Sequence, residues 1–282
     1  MERITRLVWL IAALAATTPV QADDHLILGV FPRYKATENI TMYTPLADHL
    51  SRQLGRKVTL VTTKDFDAFW QGVTEQRYDI VHYNQYHYTH SAQSYQVIAH
   101  NQEFGKDAVS GALFVRKDSG ITEVSQLRGK TIIFGGGKDA MLSYIGPMYL
   151  LMQAGLKKGD FEAKFAVNPP NAMVALYRKQ ADAAGGGGIL IDLAPVRKAV
   201  NADDIVVLAR TEPLLFLPWA VKRSMPAKLR ESIRATLTQL EQSGSGRTVL
   251  KAANTTGMRK ADDKDYDAHR RMIEAVFGMK GK

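Results

Sequence analysis

The amino-acid sequence predicts an α/β protein built from two units of similar size. In residues 25–83 short apolar runs alternate with amphipathic segments, and residues 110–208 repeat this alternation. Strand–helix–strand order is typical of sheets whose faces are covered by helices. The chain has 282 residues, of which 45% are hydrophobic. It is therefore long enough to bury two medium-sized cores or one large core.

The first unit opens on an apolar run, residues 25–31, that has the pattern of a buried strand. Thr44-Pro45 is typical of a helix start and Gly55 of a helix stop. We therefore expect a loop over residues 31–44, followed by a helix. The other segments predicted for this unit are a strand at 57–62, a helix at 66–76 and a strand at 78–83.

Parallel strands bring their carboxyl ends to one edge of a sheet, and ligands of α/β proteins bind beyond that edge. The loops expected to share this edge are 31–44, 63–67 and 83–90. We therefore expect ligand-binding side chains in these loops.

The second unit shows the same order of elements. A helix is expected from Asp139 to Gly155, with a kink at Pro147, because proline removes a helical hydrogen bond. A second helix is expected over residues 171–180. The strands predicted for this unit are 110–116, 130–134, 161–167, 183–184 and 205–208.

The amino-terminal residues have the pattern of a secretory signal peptide. Arg3 and Arg6 precede a ten-residue apolar run, Leu7–Ala16, and Val20-Gln21-Ala22 fits the small-x-small cleavage rule. The run is too short to span a bilayer. We therefore predict a signal peptide over residues 1–22 and export of a mature chain that starts at Asp23.

Composition excludes several classes of protein. The chain has no cysteine, which excludes disulfides, thiolate metal sites, cysteine nucleophiles and a lipidated cysteine anchor. Lys and Arg (37) outnumber Asp and Glu (28), but no run of like charges forms a nucleic-acid-binding arm. A diffuse positive charge of this kind suits a protein that meets small anions.

Several segments carry a resemblance to a known family. Residues 113–121, Leu-Phe-Val-Arg-Lys-Asp-Ser-Gly-Ile, and residues 127–135, Leu-Arg-Gly-Lys-Thr-Ile-Ile-Phe-Gly, resemble the phosphate/phosphite/phosphonate-binding proteins of bacterial ABC transporters. Shorter stretches at 29–32, 43–50 and 78–84 are similar as well. The similarity spans most of residues 26–220.

The resemblance implies a two-lobed periplasmic binding protein fold of type II. Each lobe is then a mainly parallel sheet flanked by helices, and the ligand cleft lies between the lobes. We expect lobe 1 to comprise residues 23–112 plus 218–282 and lobe 2 to comprise residues 113–217. The chain is expected to cross between the lobes near 111–117 and 213–221.

The function implied is a periplasmic solute-binding protein, not an enzyme, that captures a small polar anion of the phosphonate, phosphite or phosphate type. The expected partner is an ABC permease in the inner membrane. We expect a monomer with no cofactor, no bound metal, no nucleic-acid partner and no lipid anchor.

This chain departs from the family pattern where the family binds oxyanions. The family has Asp-Pro-x-Ser-Thr-Ser-Gly after the phenylalanine, whereas this chain reads Phe134-Gly-Gly-Gly-Lys-Asp-Ala-Met-Leu-Ser-Tyr144. Only Ser143 offers a hydroxyl nearby. The family histidine before the following helix is replaced by Asn168-Pro-Pro-Asn171. A run of four glycines, residues 185–188, is a further difference.

The second unit still offers groups that can bind an anion. The turn at residues 135–137 lies between a strand and a helix, where free backbone N–H groups attract anions, and Lys138 adds a charge. Asp139 either caps the helix or receives an ammonium group of the ligand. Asn171 either caps a helix or contacts the ligand. The candidate ligand-binding residues of lobe 2 are Gly136, Gly137, Lys138, Asp139, Ala140, Ser143, Asn171 and Gly185.

We call the edge of the sheet where the carboxyl ends of its strands meet the rim. The candidates in lobe 1 are polar and aromatic residues predicted at this rim: Tyr34, Tyr43, His82, Tyr83 and Asn84. Aromatic rings at such a rim stack on ligands or face a cation. His82, His87 and His90 also raise the alternative of a zinc site, but no carboxylate accompanies them. Trp70 and Trp219 have the pattern of core residues.

Three further functions remain open at the level of sequence. The same fold serves as the periplasmic sensor of a histidine kinase, or binds a zwitterion or an amine. An enzyme is disfavoured, because no Gly-x-Ser-x-Gly, His-Glu-x-x-His or paired catalytic motif occurs.

Overall fold

The computed structural model describes residues 25–278, and within them two large β-sheets carry helices on their faces. The strands are β1 His25–Val30, β2 Lys57–Val61, β3 Ile80–His82, β4 Tyr95–Gln102, β5 Ala108–Val109, β6 Gly111–Arg116, β7 Thr131–Gly135, β8 Glu162–Ala166, β9 Ala183–Gly187, β10 Ile205–Arg210, β11 Leu214–Leu215, β12 Pro218–Lys222 and β13 Gly257–Lys260.

The larger sheet has the strand order β13-β4-β12-β3-β1-β2, and the other has the order β10-β6-β9-β7-β8. We call these parts of the molecule the six-stranded unit and the five-stranded unit. The helices are α1 Ala36–Leu54, α2 Phe66–Thr74, α3 Gln85–Ser91, α4 Gly146–Gln153, α5 Pro169–Tyr177, α6 Ala194–Arg197, α7 Ala227–Thr238, α8 Gly244–Ala252 and α9 Asp267–Phe277.

Both large sheets are mixed, so the expectation of mainly parallel sheets is wrong. β1 pairs in parallel with β2 and β3, and β7 pairs in parallel with β8 and β9, as strand–helix–strand order predicts. The remaining pairings are antiparallel. β6 and β12 enter their sheets after the chain crosses from the other unit, so no helical crossover forces them to run parallel.

Helix α1 starts earlier than the sequence pattern indicated. It begins at Ala36, and Pro45 lies inside it rather than at its start. The helix buries Tyr43, Leu46 and other residues of one face, and this burial offsets the hydrogen bond that proline removes. Gly55 ends the helix in the left-handed conformation (φ +62°), as expected. Tyr43 is therefore a helix residue and not a loop residue.

The helix expected from Asp139 starts later than predicted, and its winding changes from π-helical to α-helical just before Pro147. A π-helical turn occupies Met141–Ile145, and α4 begins at Gly146. Pro147 thus lies in the first turn of α4, where a missing N–H group costs little. The residues from Gly136 to Ala140 form a turn ahead of this helix.

The last helix connects the two units. Met272, Ile273 and Val276 of α9 pack in the core of the five-stranded unit, although the sequence placed this segment in lobe 1. The partly buried Tyr86 of α3, in the six-stranded unit, packs against the same core and contacts the ring of Phe277. We retain the two-lobe division as a proposal and place α9 with lobe 2 in it.

No helix between residues 25 and 278 is both long enough and apolar enough to cross a bilayer. The signal peptide predicted at residues 1–22 and the predicted mature start at Asp23 lie outside the described residues. They remain predictions.

Close packing of β9 yields a test of the fold. A Cβ at Gly185 would lie 2.5 Å from the carbonyl oxygen of Ser143, whereas the nearest atom to a Cβ at Gly187 is 3.6 Å away. We expect Gly185→Ala to lower the free energy of unfolding by about 1–3 kcal/mol. The control Gly187→Ala should change it by less than about 0.5 kcal/mol. Urea denaturation of both variants measures the difference, and equal stabilities would contradict the packing described.

Candidate functional site

The candidate site lies where the six-stranded unit meets the turn that follows β7. The carboxyl ends of β1 and β3 are tied together, because the N–H of Phe31 donates to the carbonyl of His82 at 3.0 Å. Asn84 lies two residues after the end of β3. From the five-stranded unit, the turn after β7 presents Asp139 to these residues. The predicted rim and the predicted glycine-rich turn are therefore adjacent.

A carboxylate contact spans the two units. Asp139 Oδ2 is 3.4 Å from the amide nitrogen of Asn84 and 3.9 Å from Nε2 of His87. The Asp139 side chain is 34% exposed, whereas that of His87 is only 8% exposed. Asp139 thus reaches a nearly buried part of the other unit while it keeps access to water.

Asn84 is held in place by a second role. Its Oδ1 accepts a hydrogen bond of 2.8 Å from the N–H of His87 and caps α3. Its amide N–H₂ group is consequently directed away from the helix and donates to Asp139. The same residue therefore starts the helix and presents a fixed donor to the site.

The turn before Ala140 has free donors. The N–H of Gly136, whose φ is +93°, donates to the carbonyl of Ala166 at 2.9 Å and fixes the turn to β8. The N–H groups of Gly137 and Lys138 find no backbone acceptor among the described residues. Successive free N–H groups in such a turn form a concave binding site for an anion.

The ring of His87 packs against two aromatic side chains. It lies 6.1 Å from the ring of Phe66, almost parallel to it, and 4.9 Å from the indole of Trp70. Burial lowers the pKa of His87, although the nearby Asp139 carboxylate acts in the opposite direction. The imidazole is therefore neutral at neutral pH and provides one N–H donor.

His82 is enclosed rather than at the rim. The residue is fully buried, its ring stacks on Trp219 at 4.1 Å, and Nδ1 donates to the carbonyl of Pro218 at 3.1 Å. Burial lowers the pKa of His82 to about 3. Its predicted role as a ligand contact is not supported by this position, because the core surrounds the ring.

Four other predicted contacts are enclosed by packing. Tyr83 is fully buried and its hydroxyl pairs with Ser91 at 2.9 Å. Tyr43 is 3% exposed and packs on His82. Ser143 is 6% exposed, and Gly185 is packed against its carbonyl oxygen. We therefore leave all four out of the proposed site, since a ligand would have to displace core residues to reach them.

The remaining predicted residues lie at the surface. Asn171 is exposed in the first turn of α5, but the cap of that helix is Asn168, which accepts the N–H of Asn171 at 2.9 Å. The partly buried ring of Tyr34 has the Arg33 guanidinium 5.7 Å from its centre. Gly136, Gly137, Lys138 and Ala140 form the turn around Asp139.

Sequence reasoning missed Arg33. It follows β1 in the rim loop, its side chain is 42% exposed, and it makes a 3.1 Å ion pair with Glu103, which is 10% exposed. The buried carboxylate holds the guanidinium beside Tyr34. A guanidinium carries five N–H donors, so one carboxylate leaves donors free for another anion. The available signal was a basic residue in a loop already assigned to the rim.

Asn39 was also missed. It is fully buried, and its amide donates to the carbonyl of Phe31 at 3.0 Å and to the hydroxyl of Thr62 at 3.2 Å. These bonds connect α1 to the ends of β1 and β2. Its helical position hid it, because the sequence pattern placed residue 39 in a loop.

Metal binding was considered because of the three histidines. Within residues 25–278, no group of three His, Cys, Asp or Glu side chains is arranged to hold a metal ion. His82 and His87 use their rings for stacking on aromatic neighbours.

Two sheet-based units with a polar site where they meet define a two-lobed periplasmic binding protein. Residues 28–266 match the family model described as ABC transporter, phosphonate, periplasmic substrate-binding protein. The chain belongs to this family. Its members are periplasmic transport proteins rather than enzymes; they bind small ligands and pair with an inner-membrane permease.

Solved structures show the same fold. XAC2383 from Xanthomonas citri, bound to ATP, is 20% identical with a TM-score of 0.75, over 90% of this chain and 97% of that one. PhnD1 from Prochlorococcus marinus, in complex with methylphosphonate, is 16% identical with a TM-score of 0.73, over 92% and 100%. A binding protein component of an ABC phosphonate transporter from Pseudomonas aeruginosa is 15% identical with a TM-score of 0.69, over 89% and 86%.

The burial of His82 predicts a pH dependence of stability. Below about pH 6.5 the unfolded chain binds a proton at this histidine, whereas the folded protein does so only near pH 3, so stability falls as the pH falls between these values. Lowering the pH from about 7.5 to about 5 should reduce the free energy of unfolding by about 2 kcal/mol through protonation of His82 in the unfolded chain. Urea denaturation at both pH values measures the loss.

His82→Phe should remove this share of the pH dependence while it keeps an aromatic ring on Trp219. Tyr43→Phe is the matched control, because it alters the same cluster without changing a histidine. The assignment to His82 fails if His82→Phe and the wild type lose equal free energy on acidification.

Proposed function

We propose that this protein captures a phosphonate-type oxyanion between its two lobes and delivers it to an ABC permease of the inner membrane. The observation that carries the proposal is the turn after β7, where N–H groups without a backbone acceptor among the described residues precede Asp139, and the Asp139 carboxylate contacts Asn84 of the other unit. Both lobes would contribute donors to one ligand. Closure of the lobes over that ligand would be the signal that the permease reads.

The proposed binding residues combine sequence and structure. Gly137 and Lys138 offer backbone N–H groups, and Arg33 offers a guanidinium at the opposite rim. His87 adds a neutral N–H donor beside Asn84. The full proposed set is Arg33, Tyr34, Asn84, His87, Gly136, Gly137, Lys138, Asp139, Ala140 and Asn171.

Asp139 determines which oxyanion fits. A carboxylate repels a fully ionised anion but accepts a hydrogen bond from a ligand hydroxyl. A phosphonate that keeps one proton has both features, since its oxyanion oxygens take the turn donors and its P–OH group donates to Asp139. A sulfonate has no such hydroxyl at neutral pH. The site should therefore prefer phosphonates to sulfonates of the same shape.

The family supports the transport part of the proposal. Its members pair with a permease, which favours a transport partner over a histidine kinase for this chain. We propose that the mature protein is periplasmic, acts as a monomer and performs no chemistry on its ligand. Recovery of unchanged ligand from the purified complex tests the last point.

A substitution of Asp139 tests which class of oxyanion the cleft binds. Titration calorimetry of the wild type should show saturable binding of methylphosphonate and at least about 10-fold weaker binding of methanesulfonate, because a charge-assisted hydrogen bond contributes about 1.5–3 kcal/mol. Asp139→Asn should remove most of this preference, since an amide donates to a sulfonate oxygen. Glu38→Gln, an exposed change of the same type on α1, is the control. Absence of methylphosphonate binding by the wild type would overturn the ligand assignment.

A substitution of Arg33 tests whether the rim of the six-stranded unit contributes to ligand affinity. Arg33→Met should weaken methylphosphonate binding about 10-fold or more, since it removes a charged donor and keeps an apolar side chain. Arg52→Met, on the exposed surface of α1, should leave affinity unchanged. Equal affinities of the two variants would place the anion away from Arg33.

A further inference from the structure

A groove of about 750 Å³ lies at the edge of the six-stranded sheet opposite the candidate site. His25, at the start of β1, and Asp79, just before β3, line it. The candidate site lies at the other ends of these strands. Because a strand rises about 3.3 Å per residue, the length of β1 separates the two sites by about 16 Å. The groove is therefore independent of the cleft.

The groove is positively charged. Its lining includes Arg56, Arg77, Lys222 and Lys228, against the single carboxylate of Asp79 among the lining residues. Both oxygens of Asp79 are already used: one accepts Lys222 Nζ at 2.7 Å and the other accepts the N–H of Ile27 at 2.8 Å. This carboxylate therefore neutralises Lys222, and no second carboxylate lines the groove among the described residues.

Two of these cations are candidates for contact with a ligand. Within the described residues neither Arg56 nor Lys228 forms an ion pair with a carboxylate, and Arg56 is partly buried. Arg77 pairs with Glu75, which lies outside the groove. A partly buried arginine without a carboxylate partner favours an anion as its counterpart.

The walls between the cations are apolar. Leu54 and Leu229 pack on the core of the six-stranded unit and also line the groove, together with Met225 and Pro226. The volume lies within the usual range of small-molecule sites. An apolar trough bordered by cations matches a molecule with an acidic head group and an alkyl chain.

We propose that this groove is a second binding site, for an amphipathic anion whose acidic head group lies between Arg56 and Lys228 and whose alkyl chain lies along Leu54 and Leu229. Such a molecule is either a free alkyl phosphate or carboxylate, or an anionic lipid at a membrane surface. The proposal does not depend on the ligand of the cleft.

Titration of octyl phosphate in the presence of saturating methylphosphonate tests the site, because methylphosphonate blocks the cleft. We expect saturable binding of octyl phosphate and at least about 10-fold weaker binding of ethyl phosphate, since each buried methylene contributes about 0.8 kcal/mol. Loss of octyl phosphate binding when methylphosphonate is added would place it in the cleft and overturn the proposal. Equal affinity for the two alkyl phosphates would overturn the role of the apolar walls.

Paired substitutions locate the site. Arg56→Ala with Lys228→Ala should weaken octyl phosphate binding about 10-fold or more and leave methylphosphonate binding unchanged. Arg52→Ala with Lys260→Ala removes the same charge from exposed positions outside the groove and should bind octyl phosphate as the wild type does. The proposal is wrong if the groove pair binds octyl phosphate as tightly as the control pair. If methylphosphonate fails to bind the wild type, this comparison still decides the question.

Vesicles distinguish the two sources of the anion. Binding of the wild type to vesicles of phosphatidylglycerol and phosphatidylcholine, but not to phosphatidylcholine alone, with loss in the groove pair, supports a lipid ligand. Saturable octyl phosphate binding without vesicle binding supports a free amphiphile. Failure of both octyl phosphate and anionic vesicles to bind the wild type would overturn the proposal.

Discussion

The arrangement of the site depends on the contact that Asp139 makes across the two units. A carboxylate at this position needs a donor from the other side, and Asn84 supplies it, while Nε2 of His87 lies 3.9 Å from the same oxygen. Each of these side chains is itself fixed, Asn84 by the cap it forms on α3 and His87 by the rings of Phe66 and Trp70. The geometry of the cleft therefore follows from ordinary helix capping and aromatic packing.

The same carboxylate gives the cleft its chemical character. The family holds oxyanions with hydroxyl groups, whereas this chain combines free backbone N–H groups with one acceptor, Asp139. Donors and an acceptor together select a ligand that has both kinds of group, because an unpaired buried polar group costs free energy. In the function that we propose, the absence of Ser-Thr-Ser therefore changes the selectivity of the cleft.

The six-stranded sheet places polar chemistry at both of its edges. Loops after β1 and β3 carry Arg33 and Asn84 towards the cleft, while the opposite ends of the same strands border a basic groove with Arg56. The six residues of β1 are enough to keep two such sites apart, and one small unit still carries both. The two sites differ in lining, since the cleft has aromatic walls and the groove has aliphatic ones.

The sequence by itself determined the α/β class and the strand–helix alternation, because periodicity and turn residues are local properties. Its motifs indicated the family, and Asn84 and Asp139 were among the candidate residues that it offered for the site. Only tertiary structure decided that β6 and β12 run antiparallel, that α1 continues through Pro45, and that α9 packs on the five-stranded unit. Burial by distant segments likewise decided that His82 and Tyr83 are core residues, whereas Arg33 stays at the rim. These outcomes depend on contacts between residues far apart in the chain, and such contacts leave no periodic pattern in the sequence.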